Sequence, residues 1–218
     1  MGTITRSFAN NITTSGVLLP ASLTNNSIAN VTSYNAAVAT GGMVLLSTQT
    51  ASNSASISFT TGIDSTYKEY QFYFIDIHPR TNSMEFQFNM SIDAGSNYNV
   101  TKTSTSFLAY ADEANTDAAL IYDTAKDLAQ GTGFQTISAG GVGGEADESL
   151  SGFMSLFNPA NTTYVKHFIS TSQFLMSADY THNAYVAGYG NTTSAVNAVQ
   201  FKFSTGNIDG TILMYGLV

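Results

Sequence analysis

Ser83-Met84-Glu85-Phe86-Gln87-Phe88-Asn89-Met90-Ser91-Ile92-Asp93 alternates apolar and polar side chains at every step. Successive side chains of an extended strand point to opposite faces. Met84, Phe86, Phe88, Met90 and Ile92 therefore share one face, and Glu85, Gln87, Asn89 and Ser91 the other. A strand with one dry face belongs to a sheet packed on a second layer. Just upstream, Glu69 to Ile77 carries Tyr70, Phe72 and Phe74 on one side and Tyr73, Ile75 and Ile77 on the other. That is the pattern of a central strand covered on both faces. His78-Pro79-Arg80-Thr81-Asn82 joins the two segments as a turn.

Outward from this pair, short apolar runs predict strands at Met43 to Thr50, Ser54 to Thr60, Thr105 to Ala111, Ser149 to Phe157, Tyr164 to Thr171, Phe174 to Tyr180, Ala184 to Gly188, Ala198 to Ser204 and Thr211 to Tyr215. Asp93-Ala94-Gly95-Ser96, Asn158-Pro159-Ala160-Asn161, Gly188-Tyr189-Gly190-Asn191 and Gly206-Asn207-Ile208-Asp209-Gly210 supply turns, because these residues tolerate positive φ or pre-set a bend. Short strands at this spacing, with no fixed-period repeat, predict an all-β fold: an antiparallel two-sheet β-sandwich. Two stretches depart from the pattern. Asp112 to Gln130, with Ala114, Ala118, Ala119, Leu120, Ala125, Leu128 and Ala129, is compatible with one short helix or a long decorated loop. Ser138 to Glu148 reads as a flexible, exposed connection. Residues 1–40 are rich in Asn, Thr, Ser and Ala, with scattered Phe8, Ile12 and Leu18 and neither a helical stripe nor strand alternation. The expected organisation is an extended N-terminal arm, residues 1–40, either mobile or ordered by lying on a neighbouring subunit, the second of which suits an assembly protein, and a sandwich domain, residues 41–218.

Of the 218 residues, 43% are hydrophobic and 12% aromatic, enough for a packed core, while only 10% are charged. Soluble domains carry about 25% charged residues, so the surface here is built from hydroxyls and amides, which suits a protein fixed in an assembly. A net charge of −8 with seven Lys and Arg gives no basic footprint for nucleic acid. The absence of cysteine excludes thiolate metal sites, thiol nucleophiles and disulfides. No apolar run has the length of a membrane span, and residues 1–20 lack the layout of a signal peptide, so use without translocation is expected.

Catalytic patterns are sparse. His78, His167 and His182 form no metal-ligand spacing. His182 near Asp179 is at most half of an acid–base pair, and no G-x-S-x-G elbow accompanies it. The acids cluster as Asp112, Glu113 and Asp117 and as Glu145, Asp147 and Glu148, in segments that read as solvated loops rather than as carboxylates facing across a cleft. Asp112, Asn115 and Asp117 offer oxygen ligands for Ca²⁺, but without EF-hand spacing. The expectation is therefore no catalytic residue, no resident metal and no cofactor. Tyr185, Tyr189, Asn183 and Asn191 form the one mixture suited to stacking and hydrogen-bonding a sugar, although strand alternation alone also explains the tyrosines.

The opening GTITRSFANNITTSGVL, the block YKEYQFYFIDIHPRTNSMEFQFNMSIDAGSNYNVTKTSTSF and the closing AYVAGYGNTTSAVNAVQFKFSTGNIDGTILMYGL resemble virion structural proteins of tailed phages, especially marine and cyanophage types. The resemblance implies a jelly-roll domain, a homotrimer, and mounting on a capsid or tail through the N-terminal segment, with Phe8, Ile12 and Leu18 as assembly contacts. It points to a non-enzymatic role in the virion: capsid decoration, cement, or a short head or tail fibre. The partners would be other copies of the chain and the major capsid protein or other virion proteins, and the protein would be assembled in the host cytoplasm. The alternative is a receptor- or carbohydrate-binding module of the tail, using Asn183, Tyr185, Tyr189 and Asn191.

Overall fold

The computed structural model describes residues 12–13, 16–17 and 42–217, and the chain divides into two units, Met1–Gly41 and Gly42–Val218. In the first, β1 (Ile12–Thr13) and β2 (Gly16–Val17) pair antiparallel, with Ile12 opposite Val17. Phe8, Leu18 and the side chain of Ile12 lie outside the described residues.

The second unit is a β-sandwich of two antiparallel sheets, with no helix among the described residues. Its strands are β3 (Met43–Ser54), β4 (Ile57–Phe59), β5 (Glu69–Pro79), β6 (Met84–Ser91), β7 (Lys102–Asp112), β8 (Ala118–Tyr122), β9 (Gln135–Val142), β10 (Leu150–Phe157), β11 (Lys166–Met176), β12 (Tyr180–Gly190), β13 (Ala198–Phe203) and β14 (Ile208–Leu217). Eight form one sheet in the order β3-β14-β5-β10-β11-β12-β7-β8, and four form the other in the order β4-β13-β6-β9. The core lies where the small sheet covers the large one. Phe86, Phe88 and Phe201 of the small sheet meet Phe72, Phe74 and Phe168 of the large one, all buried, with ring centroids 4.9 Å apart for Phe88–Phe168 and 5.2 Å for Phe74–Phe86. Edge-to-face pairs of this kind add to the burial of apolar area.

The alternation read from Ser83 to Asp93 holds for Phe86, Phe88 and Met90, but its polar face is not all wet. Asn89 and Ser91 are buried. The Asn89 amide donates to the carbonyls of Tyr98 at 2.7 Å and Thr132 at 3.1 Å, which ties the turn after β6 and the approach to β9 onto the strand. β5 departs from expectation in the other direction. Its inner residues Tyr70, Phe72 and Phe74 are buried, yet Ile75 on the outer face is exposed, because nothing in the described chain covers that side. Asp76, at φ 50°, inserts an extra residue and returns Ile77 to the core.

Asp112 to Gln130 is neither a helix nor only a loop: Ala118–Tyr122 forms β8 and pairs with the free edge of β7, Leu120 opposite Ala109. An unpaired edge offers backbone partners that outweigh the intrinsic helix preference of an alanine-rich segment, since tertiary context overrides propensity. Ser138 to Glu148 is also not the exposed connection its glycines imply. Its first half belongs to β9, and Ser138, Ala139, Val142 and Glu148 are buried. The glycines here allow close approach rather than flexibility. A Cβ on Gly141 would lie 2.8 Å from the Ser83 carbonyl, and one on Gly143 would collide with the Glu148 carboxylate. Finally, the two strands expected at Tyr164 to Thr171 and Phe174 to Tyr180 are one continuous β11. The chain reverses only at Asp179, at φ 59°, and β12 then pairs with β11 along its whole length.

Candidate functional site

The large sheet has twice as many strands as the small one, and its outer face is open. Register places one residue of every strand in a single row across it: Thr48, Leu213, Tyr73, Phe153, Thr171, Tyr185, Phe107 and Tyr122, each directly opposite the next. Six of the eight are aromatic or aliphatic. A second row, Leu45, Tyr215, Gln71, Ser155, Ile169, Ala187 and Thr105, runs beside it. Directly opposed side chains lie about 5 Å apart and interact, so the rows form continuous ridges. Tyr73 sits 6.1 Å from Phe153 and 5.6 Å from Tyr215, and Phe107 stacks on Tyr185 at 5.0 Å with an 11° tilt. The ridges remain open to solvent: Phe107 is 40% exposed, Ile169 50% and Leu45 52%.

No charged side chain stands in either row. Charges border the face at the strand ends: Glu69, whose carboxylate accepts from the Ser155 hydroxyl at 2.7 Å, the bulge residue Asp76, and the Arg80–Asp209 ion pair. The remaining acids are concentrated in turns and short connections at 93, 112–127, 145–148 and 179.

The four residues singled out for sugar contact separate. Asn183, Tyr185 and Tyr189 line the outer face of β12, with the Asn183 amide donating to the Tyr185 hydroxyl at 3.2 Å. Asn191 lies past the strand end and donates to Gln130 at 2.7 Å. In the row next to the Tyr185–Phe107 ridge runs a trough of about 470 Å³, lined by Ala187, Gly188, Thr103, Thr105 and Ile169 and by the His167–Tyr189 pair. Sequence reasoning reached Tyr189 but not the trough, because Thr103, Thr105 and His167 join it only through strand pairing.

Comparison of the chain with protein-family models, curated proteins and solved structures finds no match.

The histidines stand apart. His78 Nδ1 pairs with the Glu148 carbonyl at 2.7 Å, His167 sits against Tyr189, and His182 packs among Phe174, Tyr110 and Tyr180. Burial holds the His182 imidazole below its usual pKa, and its Nδ1 is buried without a hydrogen-bond partner. Among the described residues no carboxylate hydrogen-bonds a histidine, so Asp179 and His182 are not brought together as an acid–base pair. Asp112 accepts from the Thr116 backbone at 2.8 Å, the Thr116 hydroxyl at 2.5 Å and the Asp117 backbone at 3.0 Å; these bonds, led by the Thr116 hydroxyl, hold its carboxyl below the usual range. Its oxygens are committed to closing the β7–β8 turn. Among the described residues no three His, Asp or Glu side chains converge as metal ligands.

Proposed function

We propose that the chain is a non-enzymatic structural protein of a tailed-phage virion, one that decorates or cements the capsid or forms a short head or tail fibre, attached through its N-terminal segment. The observation that carries this reading is the eight-strand row on the outer face of the large sheet, apolar in six positions and free of charge. An exposed apolar patch of this extent marks a surface that other protein covers. Covering it desolvates hydroxyls and rings rather than ions, so little opposes association. The setting follows the resemblance drawn from the sequence, with other copies of the chain and a capsid or tail protein as the proposed partners.

Deleting residues 2–40 tests the attachment. The truncated chain should keep the far-ultraviolet dichroism and cooperative melting of a β-sandwich and fail to join particles assembled without the full-length protein. Loss of folding on truncation would contradict the division of roles between the two units.

The trough favours a second reading, a receptor- or carbohydrate-binding module of the tail. Aromatic walls at Tyr189 and His167 beside a floor with the Thr103 and Thr105 hydroxyls suit a pyranose. This reading predicts glycan-array binding that Tyr189→Ala reduces at least tenfold; an array with no signal for the unaltered chain sinks it.

A further inference from the structure

The geometry points to a second copy of this chain as the occupant of the large sheet's outer face, packed face to face about a twofold axis. This deepens the reading of that face as an assembly surface and rests on it. Three observations select a copy of the same chain.

The first is shape. The stacked Tyr185–Phe107 ridge and the floor of the trough, Ala187–Thr105, occupy adjacent rows on the same two strands. A twofold contact requires that if one residue meets another, the reverse contact also forms. Ridge and trough side by side meet that requirement. An axis lying in the interface, across the strands and midway between the two rows, sets Tyr185 over the Ala187 of the second copy and Phe107 over its Thr105, and both contacts form twice.

The second is charge. The chain carries a net −8, so two copies repel unless they meet where charge is absent. The two rows carry no charged residue, and the nearest carboxylate is that of Glu69 at the start of β5, which accepts from Ser155 of the second row.

The third is size. Eight strands at about 4.8 Å spacing span about 34 Å, and the two rows together with the row on either side of them extend about 20 Å along the strands, a footprint near 700 Å². Stable interfaces bury about 800 Å² per partner. One sheet face accepts one stacked sheet at about 10 Å, so the geometry closes at two copies and differs from the threefold arrangement implied by the family resemblance.

Sedimentation equilibrium of the full chain tests this. The expected mass is about 46 kDa, twice the 23.1 kDa of one chain. Ala187→Glu, which places a carboxylate on the trough floor where it points to solvent in the single chain, should bring the mass to about 23 kDa while dichroism and melting stay unchanged. Adding Tyr185→Lys to Ala187→Glu should restore the dimer, because the axis sets each lysine over the partner copy's glutamate; a merely structural defect at position 187 would not be rescued this way. A trimer near 69 kDa, a dimer indifferent to Ala187→Glu, or a double variant that stays monomeric overturns the twofold pairing. A monomer that still binds particles overturns the pairing alone, and a monomer that ignores them overturns the assembly reading as well.

Discussion

Phe201→Ala is expected to remove about 3 to 5 kcal/mol of stability and lower the thermal midpoint by about 6 to 20 °C. Phe201 sits fully buried on β13, and its ring centroid lies 5.3 Å from Phe72 and Phe74, 5.9 Å from Phe86 and 6.3 Å from Phe59 and Phe88. Five rings from both sheets lose a partner at once. They cannot collapse into the void together, because each is held by its own strand pairing. Phe153→Ala, at the same residue type on the open face of the large sheet, should change single-chain stability by no more than about 1 kcal/mol, since its side chain is already partly in water. Denaturant titration of both variants separates the two roles. Equal losses would mean that the core is not where the sheets overlap.

The second large effect is on pH dependence and centres on Lys102. Its side chain is fully buried, and its ammonium donates to the Asn89 carboxamide oxygen at 2.6 Å and the Val100 carbonyl at 2.8 Å. Neither partner is charged, so desolvation pushes the lysine pKa down to about 7 from its ordinary 10.5. The folded state thus binds this proton less readily than the unfolded chain. Stability from this group is fully present above about pH 10.5 and is lost as pH falls through the interval to about 7. A shift of this size corresponds to roughly 4 to 5 kcal/mol across that interval. Lys102→Met leaves the Asn89 and Val100 oxygens without a donor, so it should weaken the domain at pH 10. It should also flatten the rise in stability between pH 7 and 10 by several kcal/mol relative to the unaltered chain. Denaturant midpoints at the two pH values provide the check. An unchanged slope in the variant would place the proton elsewhere.

Lys102 also illustrates why part of this protein is hidden from sequence reading. A lysine three residues before the predicted strand Thr105 to Ala111 reads as surface charge, and only the folding of Val100 and Asn89 around it makes it core. The sandwich itself was legible, because β6 alternates with period two and β5, β10, β13 and β14 are short apolar runs bounded by turn residues. β9 was not legible: its burial uses Ser138, Ala139 and glycines, small residues that pack by close approach and carry no hydrophobic period. β8 was missed because it exists by pairing with an edge, a non-local cause. The outer face falls between these cases. Tyr73 and Ile75 were recognised as apolar on the second side of β5, but whether that side is covered depends on how many strands the opposing sheet has. Four strands cannot cover eight, and the uncovered rows are the candidate site. The sugar-contact residues show the same limit, since Tyr189 acquires its trough from Thr103, Thr105 and His167 on neighbouring strands.

The most direct test of an assembly role is electron microscopy of particles formed without this chain and then supplied with it. The expected result is density for the sandwich at regular positions on the shell or tail, with the outer face of the large sheet covered by protein and residues 2–40 reaching the particle. Particles that stay bare, or bound sandwiches whose Tyr73, Phe153 and Tyr185 row faces solvent, would contradict it.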